Sequence, residues 1–106
     1  MTSREARPGS SLDDVIHNPT RLRICAALDA STALEFAVLE EGLGISTSLL
    51  SKHVKVLVEA GYAAVERRRQ PVGRPRVWVS ITASGRRAFR LHVDALRALI
   101  EQPLGD

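Results

Sequence analysis

The chain has 106 residues, 44% of them hydrophobic but only 4% aromatic, and a formal charge of +3. That length gives one domain with a small aliphatic core, and no apolar run approaches the roughly 20 residues of a membrane helix. The lone cysteine, Cys25, excludes an internal disulfide, and the first residues lack an apolar signal region, which together point to a cytoplasmic protein.

Residues 1–11 are polar, with Arg4, Arg7, Pro8 and Gly9, and read as a flexible arm ahead of a domain over residues 12–102. Ser11 is positioned to cap a short helix, LDDVIH, with Asp13 and Asp14 in the first turn, where negative charge is favoured. Leu12, Val15 and Ile16 would then face a partner surface. Asn18 and Pro19 start the next helix, as a cap and a first-turn proline. Ile24, Cys25 and Leu28 share one face of it. Cys25 therefore reads as a small buried hydrophobe, not a redox sensor, which would need an accessible, cationic setting. His17 reads as a surface or packing residue.

Leu34, Glu35 and Phe36 have the character of a short strand. A helix over residues 37–42 follows, with Phe36, Leu39 and Leu43 pointing inward, and Gly44 permits a tight turn. Ser46 then caps a helix over residues 46–60. Its core stripe is Leu50, Val54, Leu57 and Val58, at helical spacing. Gly61 suits the left-handed C-terminal cap. The opposite face carries Thr47, Ser48, Ser51, Lys52 and Lys55, and these two lysines are the only ones in the chain. Short hydroxyl side chains let a helix approach base edges closely, and lysines meet phosphates or guanine. A short helix, a glycine-bearing turn and a capped longer helix compose a helix-turn-helix.

A strand begins at Tyr62, Ala63 and Val65, and a second returns through Val77, Val79 and Ile81 with period-two alternation. Trp78 points the other way and is expected to pack under a neighbouring helix. Between the strands lies RRRQPVGRPR, a turn stiffened by Pro71 and Pro75, with Gly73 free to take positive φ. Thr82 caps the last helix, where Phe89, His92, Val93, Leu96, Leu99 and Ile100 recur at helical spacing. That stripe is wide for so small a domain. It is expected to cover the core and to pair with a second copy through Leu12, Val15, Ile16, Phe89, Val93, Leu96 and Ile100. His92 reads as a core or interface histidine.

Charge is concentrated. Residues 51–76 hold seven basic and two acidic side chains, a local +5 in a chain whose total is +3. Such concentration is the footprint of a polyanion site. Arginine forks in the turn suit phosphates and narrow minor grooves. Enzyme chemistry finds no support. Ser51 and His53 stand two apart on a helix and so face apart by about 200°. There is no nucleophile elbow, phosphate loop or H-E-x-x-H motif, and the histidines and cysteine lack metal-ligand spacing, so no metal or cofactor is expected.

The runs GISTSLLSKHVKVLVEAGY, RRRQPVGRPRVWVSIT and SGRRAF resemble the small winged-helix regulators of the MarR and ArsR type, closest to the minimal single-domain MarR-like group. The resemblance covers about residues 12–100. It implies a mainly α fold with a small antiparallel β-hairpin, a winged helix-turn-helix whose terminal helices dimerise, acting at promoters. The cysteine pairs of metal-sensing ArsR members are missing near the second helix, so a metal site of that type is not implied.

The resulting expectation is a homodimeric regulator, acting as a repressor, on a palindromic double-stranded DNA operator. Thr47, Ser48, Ser51 and Lys52 would lie nearest the bases, with Leu49 against a thymine methyl or packed. Lys55 and Arg21 would meet phosphates, and Arg69, Arg74 and Arg76 the minor groove or backbone. A small-molecule effector is left unidentified. Any pocket for one is expected between the dimer helices and the DNA-binding core. The alternative is a winged-helix adaptor whose arginines bind an acidic protein.

Overall fold

In the computed structural model, which describes residues 11–104, the chain runs α1 (Pro19–Asp29), β1 (Leu34–Glu35), α2 (Phe36–Leu43), α3 (Thr47–Glu59), β2 (Ala63–Arg68), β3 (Arg76–Ile81) and α4 (Ala83–Glu101). The strands form one antiparallel sheet in the order β1-β3-β2. This is the mainly α architecture with a small hairpin that the sequence implies. The arm read over residues 1–11 lies, apart from Ser11, outside the described residues.

Local chemistry sets the helix ends. The Asn18 side chain accepts from the backbone N–H groups of Thr20 and Arg21, and Pro19 opens α1 without wasting a donor. Ser46 accepts from Leu49 N at the start of α3, and Thr82 from Gly85 N at the start of α4. Each such cap is worth about 1 kcal/mol. Gly44 ends α2 in the left-handed region at φ +68°. Beyond α3, Gly61 turns left-handed, so that Tyr62 N donates to Leu57 O and Gly61 N to Val58 O, which completes a Schellman cap.

Ile24, Cys25 and Leu28 of α1, Leu39 of α2, Leu50, Val54 and Leu57 of α3, and Ala63, Val79 and Ile81 of the sheet form one core. Burying each large aliphatic contributes roughly 1.5–3 kcal/mol, and this stripe against stripe packing fixes α3 across α1 and α2. Val58 departs from the sequence expectation. It stays 39% exposed, because the fourth position of its stripe overhangs the wing instead of the core.

Residues 12–17 also depart from it. No helix forms there. Asp13, not Ser11, caps a single turn: its Oδ1 accepts from Val15 N at 2.8 Å and Ile16 N at 3.2 Å, and His17 N donates to Asp13 O at 2.7 Å. The turn drives Ile16 into the core with no exposed surface. Ile16 therefore cannot serve a partner surface. Its hydrophobicity is spent closing its own domain, and Val15 and Phe89, both half-buried, pack against the same cluster.

At the junction between α3, the hairpin and α4, backbone packs directly against backbone. Thr82 Oγ1 donates to Gly61 O at 2.7 Å, and Thr82 N donates to Tyr62 O at 3.0 Å. Gly85 sits directly over that carbonyl. A Cβ on residue 85 would lie 2.1 Å from Tyr62 O, so no side chain fits. Arg86 then reaches α1, donating to Asp29 Oδ1 at 2.7 Å and Asp29 O at 2.8 Å. The T-x-x-G-R spacing is thus a docking device for the last helix.

Candidate nucleic-acid interface

The N-terminal half of α3 is presented outward by the core stripe on its other side. Thr47, Ser48, Leu49, Ser51, Lys52 and Lys55 are all exposed. They form one continuous polar surface, with two hydroxyls at the helix start, where backbone N–H groups also point outward. His53 is half-buried at the edge of this surface. Its Nδ1 lies 3.1 Å from Arg21 Nη1. Since a guanidinium only donates, that nitrogen must be an acceptor, and the ring is neutral with its proton on Nε2. Burial first, then Arg21 and Lys52, lower its pKa from the ordinary 6.5.

The strand register sorts the arginines of the hairpin. Arg68 pairs across from Arg76, and Trp78 stands between Glu66 on one side and Glu35 on the other. Two like charges directly opposite would destabilise the sheet. They are relieved locally. The Arg68 guanidinium lies 4.4 Å over the Trp78 ring and 3.3 Å from Glu66, while Arg76 bonds Glu35 at 3.1 Å. This face of the hairpin is therefore balanced, two arginines against two glutamates. Trp78 is a platform for Arg68, a role that differs from the expected packing under a helix.

Arg67 falls on the other face, and Arg69 and Arg74 lie in the loop, all exposed. Among the described residues the side chains of these three have no hydrogen bond or ion pair with the rest of the chain. The loop is held by Gln70, whose side-chain amide donates to Arg74 O at 2.9 Å, and by Gly73 at φ +91°. That clasp leaves Val72 at the tip, 85% exposed.

Two expected contact residues are thus committed elsewhere. Arg76 is held by Glu35. Arg21 is half-buried, donating through Nε to Val15 O at 2.6 Å and through Nη1 to His53. It braces α3 from behind. Three residues that sequence reasoning left out now join the surface. Arg67 was in the basic run but carried no role. Glu40 of α2 accepts from Thr47 Oγ1 at 2.9 Å, a pairing seven residues apart that no helical periodicity reveals. In the sequence, His53 stands out only by its nearness to Ser51, two residues away.

A cleft of about 490 Å³ opens between α3 and the hairpin, lined by Phe36, Val54, Val58 and Val77 with Thr47, Lys55 and Arg67 at its rim. It lies on the recognition-helix side, away from the place expected for an effector pocket. On α4, Val93 and Leu96 are half-buried, while Leu91, Leu99 and Ile100 remain exposed, Ile100 by 80%. Leu12 is also exposed, at 36%. His92 is wholly buried; its Nδ1 accepts from Asp13 N at 2.9 Å, and the His17 ring meets it edge-on at 5.4 Å.

A helix-turn-helix followed by a basic hairpin and packed under a long last helix defines a winged-helix domain. The chain belongs to the winged helix DNA-binding domain family, whose model matches residues 20–100. Its fold is similar to that of a transcriptional regulator homologue from Pyrococcus horikoshii OT3, with a TM-score of 0.76 and 26% identity over 82% of this chain and 85% of that one. YusO from Bacillus subtilis gives a TM-score of 0.67 at 20% identity, over 77% of this chain and 57% of YusO. A possible transcriptional regulator for arsenical resistance gives 0.59 at 23%, over 85% and 94%. These last two show the fold alone. No match was found among curated protein sequences. Membership of this family bears out the winged-helix resemblance read in the sequence. No helix of the described residues is long and apolar enough to cross a membrane.

Proposed function

We propose that this chain is a sequence-specific double-stranded DNA-binding repressor that acts as a homodimer on a palindromic operator. The observation that carries the reading is the partition of charge. Within α3 and the hairpin, the side chains of Lys52, Lys55, Arg67, Arg69 and Arg74 are exposed and unpaired among the described residues, whereas Arg68 and Arg76 are taken up by Glu66 and Glu35 and Arg21, behind α3, by Val15 and His53. In this reading α3 enters the major groove. Thr47, Ser48, Ser51 and Lys52 face base edges, and Leu49 meets a thymine methyl. Lys55 and Arg67 contact phosphates, and Arg69 and Arg74 carry the wing to the minor groove or backbone. Arg76 and Arg21 act from behind, by holding the wing and α3 in place.

Dimerisation is supported by the apolar residues of α4 that its own domain leaves exposed, Leu91, Leu99 and Ile100, together with the half-buried Leu96. Leu96, Leu99 and Ile100 fall within about 100° of one another around the helix, and an exposed apolar patch of that kind marks an interface. A two-fold pair would set two recognition helices about 34–36 Å apart, on successive major grooves. Repression is the simplest consequence of occupancy, since a bound dimer covers its promoter site.

The test is fluorescence anisotropy with operator and random duplex across a salt series. Four or five phosphates neutralised per subunit predict a log–log slope of about −7 to −9 for a dimer. A flat response to salt would refute the polyelectrolyte reading and favour an acidic protein partner. For the dimer, Ile100→Asp with Leu99→Asp should yield a folded monomer by sedimentation, with tight operator binding lost. Wild-type protein that sediments as a monomer at tens of micromolar would defeat it.

A further inference from the structure

Glu40 lies on α2, outside the helix that reads DNA, yet its carboxylate touches that helix at its first residue. Thr47 Oγ1 donates to Glu40 Oε1 at 2.9 Å. A threonine hydroxyl has one proton, and this one is committed to the carboxylate. What Thr47 still offers outward is lone pairs, and Glu40 offers only more of them. The two side chains form an acceptor-only unit at the N-terminal end of the recognition helix, where such helices contact base edges. Thr47 is exposed, and Glu40 is half-buried.

We infer that the Glu40–Thr47 pair is a specificity determinant that selects a base presenting an amino group in the major groove, cytosine above adenine and both above guanine or thymine. The inference rests on the DNA-binding reading above and adds the base chemistry to it. The major-groove edge of cytosine presents the N4 amino donor. Adenine presents N6 beside the N7 acceptor, which repels a second acceptor. Guanine and thymine turn carbonyl oxygens toward the groove, where a carboxylate-backed hydroxyl has nothing to give. The same negative charge opposes the phosphate backbone. Glu40 therefore lowers binding to sites that lack the right base, and specificity is gained through repulsion as well as attraction.

The competing explanation is a plain tether between α2 and α3, and two variants separate the two. Thr47→Val keeps the shape and removes the hydroxyl through which the pair meets the base. Glu40→Ala frees the hydroxyl proton, so that Thr47 can donate as well as accept. Sites selected from a random duplex pool by wild-type protein are then varied at each base pair, and competition anisotropy is read for all three proteins, with thermal melting alongside. Wild type should prefer one orientation of a C·G pair at one position of each half-site, over the reversed pair and over A·T. Thr47→Val should lose about fivefold or more of the discrimination there, the low end for a lost base contact. Glu40→Ala should tolerate the reversed pair at that same position and bind random duplex more tightly. The inference is overturned if either variant binds DNA with unchanged base preference, whatever its melting temperature, or if reversing the base pair at the responding position, which moves the amino group to the other strand, leaves wild-type binding unchanged. Wild-type protein that binds no duplex at low salt would overturn the DNA reading and this inference together. Should Glu40→Ala fail to fold, the Thr47→Val comparison decides alone.

Discussion

Replacing Gly85 by alanine should be the most damaging single-methyl change in this domain. The added Cβ would lie 2.1 Å from Tyr62 O, and its other near neighbours, at 2.8 and 2.9 Å, are also Tyr62 backbone atoms. No side chain can rotate away. The start of α4 must lift by about 1.3 Å to bring that contact to the 3.4 Å of ordinary packing. Lifting it stretches both bonds that seat the helix, Thr82 N to Tyr62 O and Thr82 Oγ1 to Gly61 O. Overpacking costs about 1–3 kcal/mol, and each hydrogen bond about 1 more, which gives a loss of about 3–5 kcal/mol. For a domain of this size the melting temperature should fall by at least about 12 °C. The control is Gly42→Ala. Gly42 is exposed in α2, with nothing within 4 Å of an added Cβ. There alanine should stabilise by about 0.5–1 kcal/mol, through helix propensity. Thermal melts of the two variants by circular dichroism should thus move in opposite directions. A Gly85→Ala protein melting within about 3 °C of wild type would refute the account of the junction.

Three further outcomes are expected. Arg74→Ala should weaken binding to operator and random duplex alike and reduce the salt slope by about 1 per subunit, whereas Arg76→Ala should leave the slope unchanged, because Glu35 already holds that guanidinium; equal losses in anisotropy titrations would contradict the charge partition. Burial, then His17, lower the His92 pKa from 6.5 against an opposing pull from Asp13, and His53 moves the same way. Between the folded and unfolded values the unfolded chain binds more protons, so stability is full above about pH 6.5 and is lost as pH falls through the folded values; a urea midpoint that stays flat from pH 8 to 5.5 would be the wrong result. Cys25 is buried and its thiol is pushed up to about 11, mainly by burial and then by Asp13. At pH 8 it should react with a disulfide reagent about a hundredfold or more slowly in the native protein than in urea, and complete labelling of folded protein within minutes would count against this.

How much could be read from the sequence follows the range of the interactions. The caps at Asn18, Ser46 and Thr82 and the left-handed turn at Gly61 depend on neighbours within a few residues, and each forms where expected. The exposed face of α3 follows from the helical period. What failed depends on distant contacts. Residues 12–17 carry apolar side chains at spacings that suit a helix, but Asp13 is drawn to His92, 79 residues away, and to Tyr62, 49 away, and the chain turns instead. Arg76 looks the same as Arg74 in the sequence. Only the register, which sets it opposite Arg68 and beside Glu35, shows that its charge is spent. Gly85 could have been flagged, since a glycine three residues after a helix cap costs helix propensity without making a turn. Its cause, a carbonyl from the wing root, is not local.

The turn at residues 13–17 joins three surfaces that a DNA-binding reading would treat separately. Asp13 N bonds His92 of α4, and Asp13 Oδ2 accepts from Tyr62 OH at the root of the wing. Val15 O accepts from Arg21, whose other end meets His53 on α3. The helix that carries the exposed apolar stripe, the wing and the recognition helix are therefore braced against one short segment. Moving any of them relative to the turn breaks a hydrogen bond between partly buried groups, which leaves a polar atom unsatisfied and costs about 1–3 kcal/mol. At two of these links the acceptor is a histidine Nδ1, so each holds only while its imidazole is neutral. At neutral pH these links tie α3, the wing root and α4 to one segment. A dimer built through α4 would then fix the spacing of its two recognition helices through the Asp13–His92 and Arg21–His53 contacts as well as through the core.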